Sequence, residues 1–126
     1  MTYTRHSPHS IDEVEQRLRT AAQAHKFGVL NVFDIEQTLR SKGIELGKAC
    51  RVIDVCNPQA ASRALGHDMR ASVVLPCRIS IYADGNGSTL ATVNPTDLMR
   101  TAGLAGVEQL AAEIEREIIA IIDEAA

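Results

Sequence analysis

The sequence predicts one α+β domain, spanning residues 1–126, in which helices cover one face of a sheet. Its length of 126 residues matches a single domain. The run Asp84-Gly85-Asn86-Gly87 is a strong hairpin signal between two β-prone segments. A stripe of apolar residues at helical spacing then runs from Val107 to Ile122, and it must pack on the sheet or on a partner subunit. The hairpin and the small size favour α+β over a parallel α/β sheet, and the strand order stays open.

The first half of the chain alternates strands and helices. Residues 2–6 and 27–33 are short β-prone segments. Between them, Ser10-Ile11-Asp12-Glu13 has the pattern of a capping box and predicts an amphipathic helix. Asp34 is suited to cap a second helix, which Gly43 should end.

The second half predicts three more strands and two helical segments. Residues 51–56 form a strand, and Asn57-Pro58 has the cap-then-proline order of a helix start. Residues 72–83 read as one long strand in which Pro76 marks an edge or a bulge. Residues 88–93 pair back on it, and Asn94-Pro95 opens the final helical segment, which two glycines interrupt.

Composition argues against two classes of partner. The net charge of −3, the pI of about 5.8 and the 3% aromatic content are unsuited to binding a phosphate backbone or stacking on bases. No stretch has the apolar length of a signal peptide or a membrane span, so we expect no membrane partner and a cytoplasmic location. Three cysteines, an odd number, favour reduced thiols.

Two motifs resemble the domain of unknown function 302 family. They are Cys50-Arg51-Val52-Ile53-Asp54-Val55-Cys56-Asn57-Pro58 and Leu75-Pro76-Cys77-Arg78-Ile79. The resemblance covers nearly the whole chain. It implies a curved, mainly antiparallel sheet with helices on one face, as in the TATA-binding protein, and it makes a homodimer plausible. It implies no activity and no cofactor, and the shared architecture says nothing about DNA.

The candidate ligand-binding residues surround the two cysteine motifs. Cys56 ends a strand beside the Asn57 helix start, where free amides would favour the thiolate and lower its pKa. Cys77 precedes Arg78, and the two sulfurs would meet if their strands are neighbours. Ordinary packing is the competing interpretation, because Cys77 shares an alternation with apolar residues. An anion at the Asn57 helix start is an alternative to simple capping by that residue.

Other polar residues give weaker evidence for a ligand or metal site. Asp54 lies two residues before Cys56 on the same strand, so it would share that face and orient a nucleophile or bind a ligand. A solvent-facing position explains it equally well. His6 and His9 would offer two nitrogens to a metal, but no Cys-x-x-Cys or other complete ligand set is present. We therefore assign no metal site.

Two functions stay open at this stage, and the sequence does not decide whether the protein is an enzyme. The preferred one is a non-catalytic binding or interaction module. It would act as a homodimer through an apolar helix or sheet surface and bind a small ligand or anion near Asn57, Cys56 and Cys77. The alternative is a thiol-dependent enzyme or redox carrier that uses Cys56 with Cys77 as its second thiol. The sequence identifies neither a ligand nor a cofactor.

Overall fold

The computed structural model describes residues 1–126 and confirms the α+β class. The five strands are β1 (Thr2–Ser7), β2 (Gly28–Asp34), β3 (Cys50–Cys56), β4 (Cys77–Asp84) and β5 (Gly87–Val93). The five α-helices are α1 (Ile11–Ala24), α2 (Ile35–Ser41), α3 (Pro58–His67), α4 (Pro95–Thr101) and α5 (Glu108–Ala125). A short 3₁₀ helix, Met69–Val73, lies between α3 and β4.

The strands form one open sheet in the order β1-β5-β4-β3-β2, and every neighbouring pair is antiparallel. The predicted hairpin joins β4 to β5, with Gly85 at a φ of +60°. Gly87 allows β1 to approach this hairpin, because a Cβ atom there would lie 2.0 Å from the carbonyl oxygen of Ser7. The strand β1 therefore forms one edge of the sheet and β2 the other.

The core lies between the sheet and the helices and is almost entirely aliphatic. Alternation along the three central strands places one set of fully buried side chains toward the helices: Ile53, Val55, Ile79, Ile81 and Leu90. The apolar stripe of α5 packs within the same chain, and its members are Leu110, Ala111, Ile114, Ile118, Ile121 and Ile122. None of the helices has both the length and the hydrophobicity needed to span a membrane.

Polar contacts hold α1 against the end of α5. Arg17 donates hydrogen bonds to the carbonyl oxygens of Ala125 and Ala126, at 2.9 Å and 3.0 Å, which caps α5 at its C-terminus. The His25 ring contacts the carboxylates of Glu117 and Glu124, and these hydrogen bonds raise its pKa. His25 is thus a structural link between two helices.

The long strand predicted over residues 72–83 is wrong at its start. The Asp68 carboxylate accepts a hydrogen bond from the Arg70 amide at 2.9 Å, and the 3₁₀ helix begins there instead. Pro76, which has no amide hydrogen to donate to a neighbouring strand, comes directly before β4. Residues 73–76 therefore stand away from the strand direction and form a wall beside the sheet.

Candidate functional site

The five candidate residues fall into two groups in the structure. Cys56, Asn57 and Cys77 line a small void at the end of β3, together with residues of α3 and α5. Its volume is about 10 Å³. A cavity of this size holds at most one water molecule, so this place has no room for a larger ligand.

Burial makes the thiols beside this void less acidic, opposite to the direction expected for Cys56 from the helix start. Burial raises the pKa of Cys56. Burial and, to a smaller extent, the neighbouring Cys56 raise the pKa of Cys77 to about 12. Asn57 serves as the cap of α3, its Oδ1 accepting a hydrogen bond from the Ala60 amide at 3.1 Å. All three cysteines are free thiols.

Asp54 and Arg78 form the second group, a cross-strand pair on the face of the sheet away from the helices. They are direct partners in the register of β3 and β4, and Arg78 Nε donates to Asp54 Oδ1 at 3.1 Å. The Asp54 side chain is 8% exposed, whereas that of Arg78 is 65% exposed. A buried carboxylate thus holds one nitrogen of a guanidinium group whose outer part reaches solvent.

A groove opens beside Arg78, and we call it the Arg78 groove. Its floor is formed by β4 and β5, one wall by residues 73–76 and the opposite wall by α4. Side chains that line it include Val73, Leu75, Arg78, Ala91, Val93 and Leu98. The volume is about 460 Å³, within the range of about 300–1,000 Å³ that small-molecule sites occupy.

The groove is apolar apart from one cation and a few hydroxyl groups. Thr2, Ser80 and Thr92 contribute the hydroxyls, and that of Thr92 already donates to the Arg78 carbonyl oxygen at 2.7 Å. Arg78 is the one charged residue among the lining side chains. The arrangement suits a molecule with an apolar body and a single polar end.

His6 and His9 each have a ring nitrogen near a carboxylate. His6 Nδ1 lies 3.9 Å from Asp84, and His9 Nδ1 lies 3.1 Å from Glu13. No three His, Cys, Asp or Glu side chains come together in an arrangement that could hold a metal ion.

Sequence reasoning named Arg78 and Cys77 as candidates but missed the groove that they border. Its other walls are valines, leucines and methionine, which carry no motif. The available signals were Pro76, placed inside a predicted strand, and Asp68, which is suited to cap a short helix. Both indicate a break in the chain before Cys77, and such a break is what creates the wall.

Comparison with known proteins places the chain in a family. The family model described as Domain of unknown function DUF302 matches residues 3–125. The fold is similar to the crystal structure of an uncharacterized conserved DUF302 protein from Bacillus stearothermophilus, with a TM-score of 0.94 and 27% sequence identity over 99% of this chain and 98% of that chain. No curated protein matches. This chain therefore belongs to the DUF302 family.

Proposed function

We propose that the protein is a non-catalytic module that binds a small ligand in the Arg78 groove and acts as a homodimer. The observation that carries the proposal is the groove itself, an open apolar cleft with one partly exposed guanidinium at its border. Clefts that are mainly apolar and contain a few convergent polar groups are typical small-molecule sites.

The positions of the candidate residues support this site over the cysteine void. Only about 10 Å³ is free beside Cys56 and Asn57, whereas about 460 Å³ is free beside Arg78. Of the five residues named from the sequence, Cys77 and Arg78 line the larger space, and Asp54 contacts it through Arg78. Asn57 is engaged in capping α3.

The state of the thiols supports binding over catalysis. A catalytic cysteine needs a substantial thiolate population near neutral pH. Cys77 has a pKa raised to about 12, and burial also raises the pKa of Cys56. The thiol-dependent alternative is therefore disfavoured, and fast alkylation of Cys56 at neutral pH would revive it. Free cysteines also favour a reducing compartment such as the cytoplasm.

The two edges of the sheet differ in a way that supports a homodimer through β2. The edge strand β1 presents polar side chains such as Thr4 and His6 to solvent. The edge strand β2 instead presents Leu30 and Phe33, which are 61% and 44% exposed. An apolar edge with unpaired backbone groups is suited to pairing with another chain.

A groove-filling variant tests the ligand proposal. Thermal unfolding of three proteins is measured with and without each member of a library of small molecules. The three are the wild type, Ala91→Phe, which fills the floor of the groove, and the control Ala105→Phe, which changes an exposed loop. Ligands at 100 times their Kd should stabilise the wild type and Ala105→Phe by about 2.7 kcal/mol. They should have little effect on Ala91→Phe. Equal stabilisation of all three proteins, or none of any, would contradict the proposal.

Sedimentation equilibrium tests the dimer. Phe33→Lys places a charge on the β2 edge and should raise the dimer dissociation constant at least tenfold, because a central aromatic side chain contributes about 2 kcal/mol or more to an interface. Met69→Lys is the matched control, since Met69 is 70% exposed and lies outside β2. A wild-type monomer at all concentrations would refute the dimer and leave the ligand site untouched.

A further inference from the structure

The geometry points to an amphipathic monocarboxylate, a molecule with an apolar body and one carboxylate end, as the occupant of the Arg78 groove. This inference rests on the proposed function and specifies the chemical class of its ligand. Three features carry it: the apolar walls, the unused nitrogens of Arg78, and the buried charge of Asp54.

The walls of the groove match an apolar body. Val73 is 76% exposed and Val93 is 39% exposed, and both line the groove. Leu75 and Leu98 complete the apolar surface on the two walls. An apolar ligand would remove these side chains from water, which is the main favourable term in binding to such a site. A fully polar ligand, such as a sugar or inorganic phosphate, would leave them without a partner.

Arg78 offers an unused pair of donors for an anion. Its Nε is bound to Asp54, and no protein group accepts a hydrogen bond from Nη1 or Nη2. These two nitrogens form one edge of the planar guanidinium, and a carboxylate accepts two parallel hydrogen bonds from such an edge. The contact with Asp54 fixes the orientation of that edge, so Asp54 acts as a positioning residue.

Asp54 also limits the charge of the ligand. The pair of Asp54 and Arg78 is neutral overall, and a monoanion adds one negative charge to it. A phosphate monoester adds close to two, and removing two charges from water in an apolar groove costs more than removing one. The Arg78 guanidinium, already paired with the 8% exposed Asp54 carboxylate, offsets only part of that cost. The pair therefore favours a carboxylate over a phosphate of the same chain length.

The experiment compares three probes that share one apolar chain: decanoate, decanol and decyl phosphate. Their Kd values are measured by titration calorimetry below the concentrations at which they aggregate. Decanoate should bind the wild type at least tenfold more tightly than decanol and more tightly than decyl phosphate, because a hydrogen bond to a charged group supports a factor of this size. Arg78→Met should remove the advantage of decanoate over decanol.

The variant Asp54→Asn tests whether Asp54 acts on the ligand through Arg78 or only stabilises the fold. The amide oxygen can still accept from Arg78 Nε, but the negative charge is gone. The ratio of the two anion Kd values should shift severalfold toward decyl phosphate, which a merely structural loss would not cause. If this variant does not fold, the wild-type preference between decanoate and decyl phosphate tests the same point.

The outcomes distinguish a failure of the carboxylate inference from a failure of the proposed ligand-binding function. Equal binding of decanoate and decanol, unaffected by Arg78→Met, would overturn the carboxylate and leave a groove for neutral apolar ligands, consistent with the proposed function. Tighter binding of decyl phosphate would overturn the selectivity assigned to Asp54. Failure of all three probes to bind would overturn the inference, and the library experiment with Ala91→Phe would still decide the proposed function.

Discussion

Two spaces of very different size lie on either side of the same short segment. Leu75, Pro76 and Cys77 line both the void of about 10 Å³ beside Cys56 and the Arg78 groove of about 460 Å³. Residues of helices α3 and α5 line the void, whereas residues of β4, β5 and α4 line the groove. The presence of reactive residue types alone therefore does not indicate where a ligand-sized space lies. In this protein Cys56 lines only the void, Cys77 is buried between the two spaces, and the Arg78 guanidinium borders only the groove.

The largest expected effect concerns the thiol between the two spaces. The pKa of Cys77 is raised from 9.0 to about 12, a difference of three units, so its thiolate population at pH 8 should be about a thousandfold lower than in the unfolded chain. Alkylation of Cys77 by iodoacetamide, followed by mass spectrometry at pH 8, should therefore be about fiftyfold or more slower in the folded protein than in guanidinium chloride, since the greater nucleophilicity of a high-pKa thiolate offsets part of the loss in its population. Rapid labelling of folded Cys77 would mean that the void is open.

The same shift predicts a loss of stability at high pH. Below pH 9 the Cys77 thiol is protonated in both states, so its contribution is constant. Between pH 9 and about 12 the unfolded chain loses the proton first, and the free energy of unfolding should fall by about 1.4 kcal/mol per pH unit. Cys77→Ala is the control, because it lacks this term and shares every other titrating group. Identical slopes for the two proteins in urea unfolding would contradict the raised pKa.

A smaller effect separates the two Asn-Pro helix starts, one beside each space. Asn57 lines the void and caps α3 through the Ala60 amide, so Asn57→Ala should cost about 1 kcal/mol. Asn94 precedes α4 beside the groove, makes no capping hydrogen bond, and has a buried Oδ1 without a partner. Asn94→Ala should therefore cost less than Asn57→Ala in urea unfolding. Equal costs would show that Asn94 supports α4 by some other contact.

The fold was largely predictable because its signals are local. The hairpin at Gly85, the cap at Asn57 and the stripe of α5 each depend on neighbours within a few residues, and all three are confirmed. The start of β4 was not predicted correctly. Val73, Val74 and Leu75 have the composition of a strand, but the Asp68 cap and the missing amide hydrogen of Pro76 outweigh that propensity.

The site was less predictable because it depends on register and burial. Nothing in the sequence shows that Asp54 lies opposite Arg78, since this pairing requires β3 and β4 to be neighbours in one particular register. The sequence context of Cys56 indicates a helix start, which favours a lower pKa, but it does not indicate the residues whose burial of the thiol raises that pKa. The void and the groove both arise from the packing of elements distant in sequence.

The smallest expected effect on stability is that of a substitution in the Arg78 groove, which should weaken ligand binding with little change in the free energy of unfolding. Val73 is 76% exposed and lines the Arg78 groove, so Val73→Ser should change the free energy of unfolding by less than about 0.5 kcal/mol. The same substitution removes apolar surface from one wall and should weaken decanol and decanoate by a similar factor, because it does not touch Arg78. Urea unfolding and calorimetry on one protein sample measure both quantities. A large loss of stability with unchanged probe binding would place Val73 among the residues that hold the fold and remove it from the groove.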